Sequence, residues 1–325
     1  VRDHNADPDD VDVLRFTDLN ATDITMANAN GDLRITVTST GDVIAVTNWS
    51  LRYSGDNWGI ERIEFADGTV WDIDDIEANA WIEGTSGNDS LSYWHTWSTH
   101  MPGNLKGYAG NDKLYGDHGD DILDGGTGQD YMAGSGGDDL YIVDNASDTL
   151  VEPWNGGIDT VQTTVSWTLD TDFEHLILDS SVTIDGTGNA KSNKLTGNDA
   201  SNTLVGLGGD DVISGAAGDD TLKGGDGDDA LNGGAGNDIL IGGTGADTFI
   251  FEEGFGTDTV TDFDPNEAGE AIDLAGVSSI VDYADLTSNH LSQVGSDVVI
   301  DDLLGNTVLL QNTLIALLQD SDFIF

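Results

Sequence analysis

The chain has 325 residues, of which 61 are Asp or Glu and 10 are Lys or Arg, so its formal charge at pH 7 is −51. This charge excludes nucleic acid as a natural partner, because binding phosphates requires clustered Lys and Arg, and it opposes a compact fold without cations. The 38% hydrophobic residues and eight Trp argue against an acidic disordered chain. With no Cys there is no disulfide or thiolate chemistry, and no apolar run approaches the roughly 20 residues of a membrane span.

Residues 1–80 are predicted to form a small β domain. Apolar and polar residues alternate in DVLRF, DLRITVT and IERIEFADGTVWD. Turn dipeptides at Asn30-Gly31, Thr40-Gly41 and Asp67-Gly68 divide these segments, as expected between short strands. We interpret this domain as a β cap on the coils that follow.

A nine-residue repeat, G-G-x-G-x-D-x-U-x with U apolar, organises residues 81–142 into a first block. An isolated copy, GTSGNDSLS, begins at Gly84. Four copies then run from Gly107 to Ile142 as GYAGNDKLY, GDHGDDILD, GGTGQDYMA and GSGGDDLYI. A fixed period of this kind outweighs local propensity in predicting the fold.

Residues 143–187 are predicted to be a bridging β segment, because DTVQTTVSW and HLILD alternate apolar and polar residues. The second block covers residues 188–250. Its first two copies are degenerate, with Asn193 and Asn202 at the aspartate position, and we interpret them as coils that bind no ion. Five full copies follow from Gly206.

Each copy is predicted to be half a coil, with glycines permitting a positive-φ turn and the apolar eighth residue on a strand that points inward. Two copies return the chain to its starting side, so residues 18 apart stack at about 4.8 Å. The residues expected to fill the thin core are Ile213, Leu222, Leu231, Leu240 and Phe249. The predicted fold class is all-β: two parallel β-roll blocks, a small N-terminal β domain and a C-terminal β cap.

Stacking aligns the sixth-position aspartates, placing Asp211 over Asp229 over Asp247 and Asp220 over Asp238. Unit charges 4.8 Å apart repel by about 0.9 kcal/mol even in water, whereas a divalent cation between them is ligated. Carboxylates and turn carbonyls suit Ca²⁺, while Mg²⁺ demands stricter octahedra and soft metals prefer Cys or His. The sequence therefore predicts Ca²⁺ as cofactor, with about five to eight ions.

These nonapeptides resemble the calcium-binding repeats of repeats-in-toxin (RTX, haemolysin-type) proteins, which form parallel β-rolls. The resemblance implies that each ion takes carbonyls from positions two and four of one turn, carbonyls from positions one and three of the turn one coil later, and both sixth-position aspartates. The sets implied in the first block are Tyr108, Gly110, Asp112 with Gly125, Thr127, Asp130, and Asp117, Gly119, Asp121 with Gly134, Gly136, Asp139. Those in the second block are Leu207, Gly209, Asp211 with Gly224, Asp226, Asp229; Ala216, Gly218, Asp220 with Gly233, Ala235, Asp238; and Gly225, Gly227, Asp229 with Gly242, Thr244, Asp247. If the insert from Tyr93 to Lys106 loops out, Thr85, Gly87, Asp89 face Gly116, His118, Asp121.

The flanks carry further resemblances. Residues 12–72 resemble the small haemolysin-type calcium-binding-related domain that often accompanies such repeats. From Asp258, DTVTDF and EAIDLAGV resemble the segment closing the β-roll of serralysin-type secreted proteases, which implies that Asp258 and Glu270 help hold terminal calcium. The final DSDFIF is similar to the C-terminal signal of type I secretion substrates, with a strand finishing the cap as the alternative. We assign residues 251–325 to a C-terminal cap carrying this signal.

No catalytic site is predicted. The aspartates of a row are equivalent, whereas acid–base catalysis needs carboxylates whose pKa values are driven apart. H-E-x-x-H, G-x-S-x-G and P-loop motifs do not occur. His95 and His100 are interpreted as loop residues rather than a zinc site. The aromatic insert 93–97, together with Trp81, either covers a small open core or forms a sugar-stacking surface.

The sequence thus predicts a secreted calcium-binding module, outside the cell or at its surface, that folds on meeting extracellular calcium after type I secretion. It would serve as the folding, stabilising and export module of a larger protein, whose catalytic domain could precede Val1. The expected partners are calcium ions and the type I secretion apparatus. The alternative is a calcium-dependent binding module for surface polysaccharide or a cell-surface partner.

Overall fold

The computed structural model describes residues 13–29, 32–46, 60, 62–92, 103–153 and 156–325. Two compact units divide the chain, Val1–Asp159 and Thr160–Phe325. Among the described residues, no helix is long and apolar enough to span a membrane. The division into five segments stays a prediction.

Over its described residues, the first unit contains short strands, a 3-10 turn at Ala21–Asp23 and one α-helix, α1 (Ile73–Ala78), between β6 and β7. The strands are β1 (Val13–Arg15), β2 (Ile24–Ala29), β3 (Asp32–Val37), β4 (Val43–Val46), β5 (Arg62–Glu64), β6 (Val70–Trp71), β7 (Ala80–Glu83), β8 (Ser90–Ser92), β9 (Asn104–Lys106), β10 (Lys113–Tyr115), β11 (Ile122–Asp124), β12 (Tyr131–Ala133), β13 (Leu140–Val143) and β14 (Thr149–Val151).

The predicted N-terminal β domain is built from β1 to β7. The hairpins β2–β3–β4 and β5–β6 are antiparallel, and β1 pairs with β5. Gly68 adopts φ 88° in the β5–β6 turn, as the Asp-Gly dipeptide predicts. Leu33, Ile35 and Ile63 are fully buried in its core, where Phe65 packs edge-on against Trp71 with ring centroids 4.8 Å apart.

The first roll continues from this domain as two parallel sheets. One sheet runs β7–β9–β11–β13 and the other runs β8–β10–β12–β14, so that successive strands along the chain alternate between the sheets. The apolar residue of each half coil points inward. Those with no exposed surface are Leu105, Leu114, Leu123, Met132 and Tyr141.

The second unit contains the longer roll and one short helix, α2 (Tyr283–Asp285), followed by a π-helical turn at Leu286–His290. Its strands are β15 (Thr160–Thr163), β16 (Trp167–Thr168), β17 (His175–Leu178), β18 (Gly186–Thr187), β19 (Lys194–Thr196), β20 (Thr203–Gly208), β21 (Val212–Ser214), β22 (Thr221–Asp226), β23 (Ala230–Asn232), β24 (Ile239–Thr244), β25 (Thr248–Glu252), β26 (Thr257–Val260), β27 (Ala271–Gly276), β28 (Leu291–Val294), β29 (Asp297–Asp301), β30 (Thr307–Leu310) and β31 (Phe323–Ile324).

Parallel pairing in this roll follows the predicted period of 18 residues, with Leu222 opposite Leu240 and Leu231 opposite Phe249. One sheet runs from β15 to β27 through the odd-numbered strands, and the other runs from β16 to β26 through the even-numbered ones. The predicted core ladder is confirmed, since its five residues are at most 1% exposed.

The last strands close both sheets of the second unit. β30 lies parallel to β26 and carries the antiparallel pair β29–β28, while β31 pairs with β27. Backbone groups that the final coil would leave without partners are thus covered, which limits edge pairing with other chains. The predicted all-β class, with parallel β-rolls, an N-terminal β domain and a C-terminal β cap, is confirmed.

Candidate metal centres

The sixth-position aspartates stack through one repeated hydrogen bond. The backbone N–H of Asp211 donates to Oδ1 of Asp229 (2.8 Å), and that of Asp229 donates to Oδ1 of Asp247 (2.9 Å). Asp220 donates in the same way to Asp238 (2.8 Å). The predicted rows are therefore observed, and one oxygen of each carboxylate is committed to holding the coils in register.

The other oxygen of most row aspartates is buried without a hydrogen-bond partner. This holds for Oδ2 of Asp112, Asp130, Asp139, Asp148, Asp211, Asp220, Asp229 and Asp238. Leaving a buried carboxylate oxygen unsatisfied is costly, so natural folds pair such groups with cations or donors. A hard divalent cation at each Oδ2 would satisfy it, and these residues therefore fit calcium.

Glycine at the first position of a repeat keeps the space around Oδ2 open. A Cβ on Gly206 would overlap Oδ2 of Asp211 and lie 2.7 Å from the carbonyl oxygen of Gly224, one coil later. In the same way, a Cβ on Gly224 would overlap Oδ2 of Asp229 and lie 2.6 Å from the carbonyl oxygen of Gly242. Equivalent carbonyls lie at Gly125, Gly134 and Gly233. These first-position carbonyls and the aspartate oxygens converge on one space, as the implied ligand sets require.

Positions two and four, rather than all four turn positions, have positive φ. Leu207 has φ 84° and Gly209 has φ 92°, and even Tyr108 and Ala216 adopt φ 74° and 78°. Such angles are strained for residues with a Cβ, so the stacked turn must impose them.

The implied carbonyl ligands of these turns also join neighbouring coils. Thr127 N–H donates to the Tyr108 carbonyl (2.8 Å), and Gly110 N–H donates back to the Thr127 carbonyl (2.9 Å). The same exchange links Ala216 with Ala235, and the carbonyls of Asp226 and Thr244 accept from Gly209 and Gly227. Each carbonyl oxygen keeps a second lone pair, so calcium ligation by these atoms is compatible with the ladder and stays a prediction.

Turns that begin a row use a different conformation. Their second residue is Thr85, Asp117, Asn189 or Asn198, whose side-chain oxygen accepts the N–H two residues on. In the first unit the N–H of this second residue donates to Oδ2 of Asp89 (2.6 Å) or Asp121 (2.7 Å). The implied set of Asp117, Gly119 and Asp121 with Gly134, Gly136 and Asp139 therefore has a satisfied Oδ2 at Asp121 and an unsatisfied one at Asp139.

In the degenerate coils the oxygen beside the first-position glycine is satisfied, because Oδ1 of Asn193 accepts Asn189 N–H (2.7 Å) and Oδ1 of Asn202 accepts Asn198 N–H (2.8 Å). Nδ2 of Asn193 donates to the carbonyls of Phe173 and Glu174, each at 3.2 Å. Nδ2 of Asn202 donates to the Ile184 carbonyl (2.7 Å). These amides reach the carbonyls without a cation, which supports our interpretation of both coils as non-binding.

The structure corrects the set that paired Thr85, Gly87 and Asp89 with Gly116, His118 and Asp121. Asp89 N–H donates instead to Oδ1 of Asp112 (2.7 Å), and β8 pairs with β10. The reason is that Asn104–Lys106, at the end of the insert, forms β9 of the opposite sheet and pairs there with β11, so these residues are part of a coil. Asp121 Oδ1 accepts from Gly103 N–H in the coil before it.

The two carboxylates that the serralysin resemblance implied at the end of the second roll, Asp258 and Glu270, lie next to the rows. Asp238 N–H donates to Oδ1 of Asp258 (2.9 Å), and pairing of Thr248 with Ala271 sets Glu270 beside Asp247. Their role as ligands stays a prediction.

Sequence reasoning missed Asp148 and Asp159, which extend the first-unit rows. Oδ1 of Asp148 accepts Asp130 N–H and Oδ1 of Asp159 accepts Asp139 N–H, each at 2.9 Å. Both precede Thr and an apolar residue, which is the D-x-U signature of the repeat, but neither has a glycine at the first position five residues before it.

Burial dominates the electrostatics of the rows. Desolvation, with repulsion from neighbouring aspartates as a smaller cause, raises the pKa of Asp211, Asp229 and Asp247 to about 6 and that of Asp220 and Asp258 to about 7, although a backbone hydrogen bond to each carboxylate lowers it. A carboxyl whose pKa is raised by folding favours the folded state when it is protonated. Its contribution is complete below the unfolded pKa of about 4 and is lost as the pH rises through 6 to 7.

Acid is therefore expected to replace calcium in part. In calcium-free buffer, lowering the pH from 7.5 to 5 should increase the far-UV circular dichroism signal of β-structure, because the row aspartates become protonated. Calcium affinity should fall over the same range as protons compete for Oδ2. A calcium-free chain whose spectrum does not change over this range would contradict the effect.

Replacing Asp229 should separate ligation from stacking. Asp229→Asn keeps the acceptor for Asp211 N–H but replaces Oδ2, which two adjacent implied sites share. We expect the calcium affinity of both sites that share Asp229 to fall about tenfold or more, so that calorimetry counts up to two fewer ions. Asp228→Asn is the matched control, since exposed Asp228 accepts Ala246 N–H (2.8 Å) and an amide oxygen can do the same. Equal ion counts for both variants would contradict the shared site.

Several aromatic and histidine predictions fall on residues outside those described. These are Tyr93, Trp94, His95, Thr96, Trp97 and His100. Trp81 is described, and Lys106 Nζ lies 5.8 Å from its ring centroid. The alternative of a polysaccharide-binding surface on this insert stays a prediction.

Family models match both parts of the chain that the sequence singled out. The RTX calcium-binding nonapeptide repeat model matches residues 104–132, 119–150, 187–222, 196–231, 214–249 and 223–260. The haemolysin-type calcium binding protein related domain matches residues 32–75.

Comparison with curated proteins finds no match. Among solved structures, the chain is similar to the extracellular lipase LipA from Serratia marcescens, with 18% identity and a TM-score of 0.35 over 76% of this chain and 40% of the lipase. The chain thus spans less than half of that lipase. The chain thus carries RTX calcium-binding nonapeptide repeats, accompanied by a haemolysin-type calcium binding protein related domain.

Proposed function

We propose that calcium drives this chain to fold, so that it acts as the folding and stabilising module of a larger secreted protein. The observation that supports this is the set of buried Oδ2 atoms without partners, repeated along both rolls. Because the matched repeats are calcium-binding RTX repeats, calcium is the ion that these oxygen atoms would bind. Five or more ions would each stabilise the folded state and not the unfolded one.

Export follows from the same chemistry. Where calcium is scarce, repulsion within the aspartate rows keeps the chain extended, and an extended chain can pass a narrow type I secretion channel. Outside the cell, millimolar calcium would then fold it. The acidic and hydrophobic C-terminal residues would contribute the export signal, although Phe323 also pairs with Ile272 in the cap.

We further propose that the chain itself has no catalytic role and that any catalytic domain of the larger protein lies outside it. The stacked aspartates Asp211, Asp229 and Asp247 are all buried and have their pKa raised to about 6, so none of the three is set apart as an acid or a base.

The test of the folding role is the β-sheet content of the purified chain as free calcium is raised from chelator to 1 mM. Magnesium at the same concentration is the control, because its strict octahedral geometry suits the stacked turns poorly. A chain that has its full β-sheet content in chelator would overturn the proposal.

A further inference from the structure

Three buried carboxylates meet at the end of the first roll. They belong to Asp139, Glu152 and Asp159, which are 1%, 8% and 0% exposed. One oxygen from each lies within 4.8 Å of the others. Asp139 Oδ2 has no hydrogen-bond partner and points at this cluster. Three like charges at this spacing in a buried place need a compensating cation or protons.

Glu152 occupies a special register in this cluster. It follows Gly134 by 18 residues, as Gly134 follows Gly116, and so it stands at the first position of the next coil. In the preceding coil, a Cβ on Gly116 would meet the Gly134 carbonyl oxygen at 2.7 Å. A Cβ on Gly134 would meet the Glu152 carboxylate instead, together with Asp139 Oδ2. The Glu152 side chain thus takes the place that a first-position carbonyl has in the repeats.

The cluster is also held in place from outside. Asp139 N–H donates to Oδ1 of Asp159 (2.9 Å), which continues the row. The Tyr141 hydroxyl donates to Oε1 of Glu152 and accepts from Gly134 N–H (2.6 Å). In the folded chain these hydrogen bonds hold the three carboxylates independently of an ion, and a site held in this way loses less entropy on binding.

We propose that Asp139, Glu152 and Asp159 form a distinct Ca²⁺ site with three carboxylates, which fills at a lower calcium concentration than the two-carboxylate sites of the first roll. Calcium affinity rises with the number of charged ligands and with the rigidity of the site. The proposal rests on the calcium-binding function proposed above. It adds a site outside the nonapeptide pattern and an order in which the ions bind.

The test compares Glu152→Gln with Asp138→Asn by calorimetric titration of the whole chain with calcium. Glu152→Gln removes one charge from the cluster, and we expect the tightest step in the first unit to weaken tenfold or more. Asp138→Asn removes one charge from the same repeat outside the cluster. Exposed Asp138 accepts Ile158 N–H (2.8 Å), which an amide oxygen also accepts, so its titration should match the unchanged chain.

Terbium provides a second readout. Because the Tyr141 hydroxyl contacts Glu152, excitation of tyrosine should sensitise luminescence of Tb³⁺ bound here at substoichiometric terbium. We expect this early luminescence to be lost in Glu152→Gln and kept in Asp138→Asn.

Asp159→Asn guards against a folding defect, since its amide oxygen still accepts Asp139 N–H. It should lose the same tight step while circular dichroism at 10 mM calcium matches the unchanged chain. Retention of the tight step in folded Asp159→Asn or Glu152→Gln overturns the three-carboxylate site. An unchanged chain that binds no calcium would instead overturn the proposed function, so the two failures are distinguishable.

Discussion

In chelator at pH 7, the chain is expected to be largely unfolded, and 1 mM calcium is expected to restore its β-structure in a cooperative transition. The formal charge of −51 and the buried aspartate rows oppose the folded state when no cation is bound. If each site has an extracellular-type Kd near 10⁻⁴ M, 1 mM calcium stabilises the fold by about 1.4 kcal/mol per site.

Five such sites contribute about 7 kcal/mol, which is comparable with the total stability of a domain. Calcium therefore decides whether the rolls fold, rather than adjusting an already stable fold. Circular dichroism at 218 nm, followed during a calcium titration, measures this effect directly. The transition should be steeper than single-site binding, because each coil contacts only its neighbours and a filled site stabilises the next. A gradual, non-cooperative change would contradict coupling along the rows.

The repeat made most of the rolls predictable. Its fixed period set the strand register, the core ladder ending at Phe249 and the rows of Asp211 and Asp220, because every coil repeats the same local geometry. The chemistry of the rows also followed, since stacked carboxylates at strand spacing require a cation.

Features outside the repeat were not predictable in the same way. The partner of Asp89 could not be assigned from the period, because the insert interrupts it, and the pairing of β8 with β10 assigns it. Asp159 lies 20 residues after Asp139 rather than 18, so a strict period does not find it. Glu152 becomes a candidate ligand because it replaces the glycine at the first position of its coil, which a search for the repeat does not find.

Deleting residues 258–325 is expected to raise the calcium concentration needed to fold the second roll by about tenfold. The deletion removes Asp258 and Glu270 and uncovers the end of the core, where Phe249 packs against Phe263 with ring centroids 6.3 Å apart. Loss of about 5 kcal/mol of apolar burial, spread over the three implied sites that remain in the second roll, corresponds to a midpoint shift of this order.

Hydrogen exchange followed by mass spectrometry would report each roll separately in the same molecules. Peptides from residues 206–250 should become protected only at the higher calcium concentration, while peptides from residues 107–142 serve as the internal control and keep their midpoint. The double variant Asp258→Asn, Glu270→Gln retains the packing of the cap and removes only its charges, so its smaller shift would measure what the terminal ligands contribute. If the deletion leaves the midpoint of the second roll unchanged, the C-terminal segment does not cap the roll, and its role is confined to export.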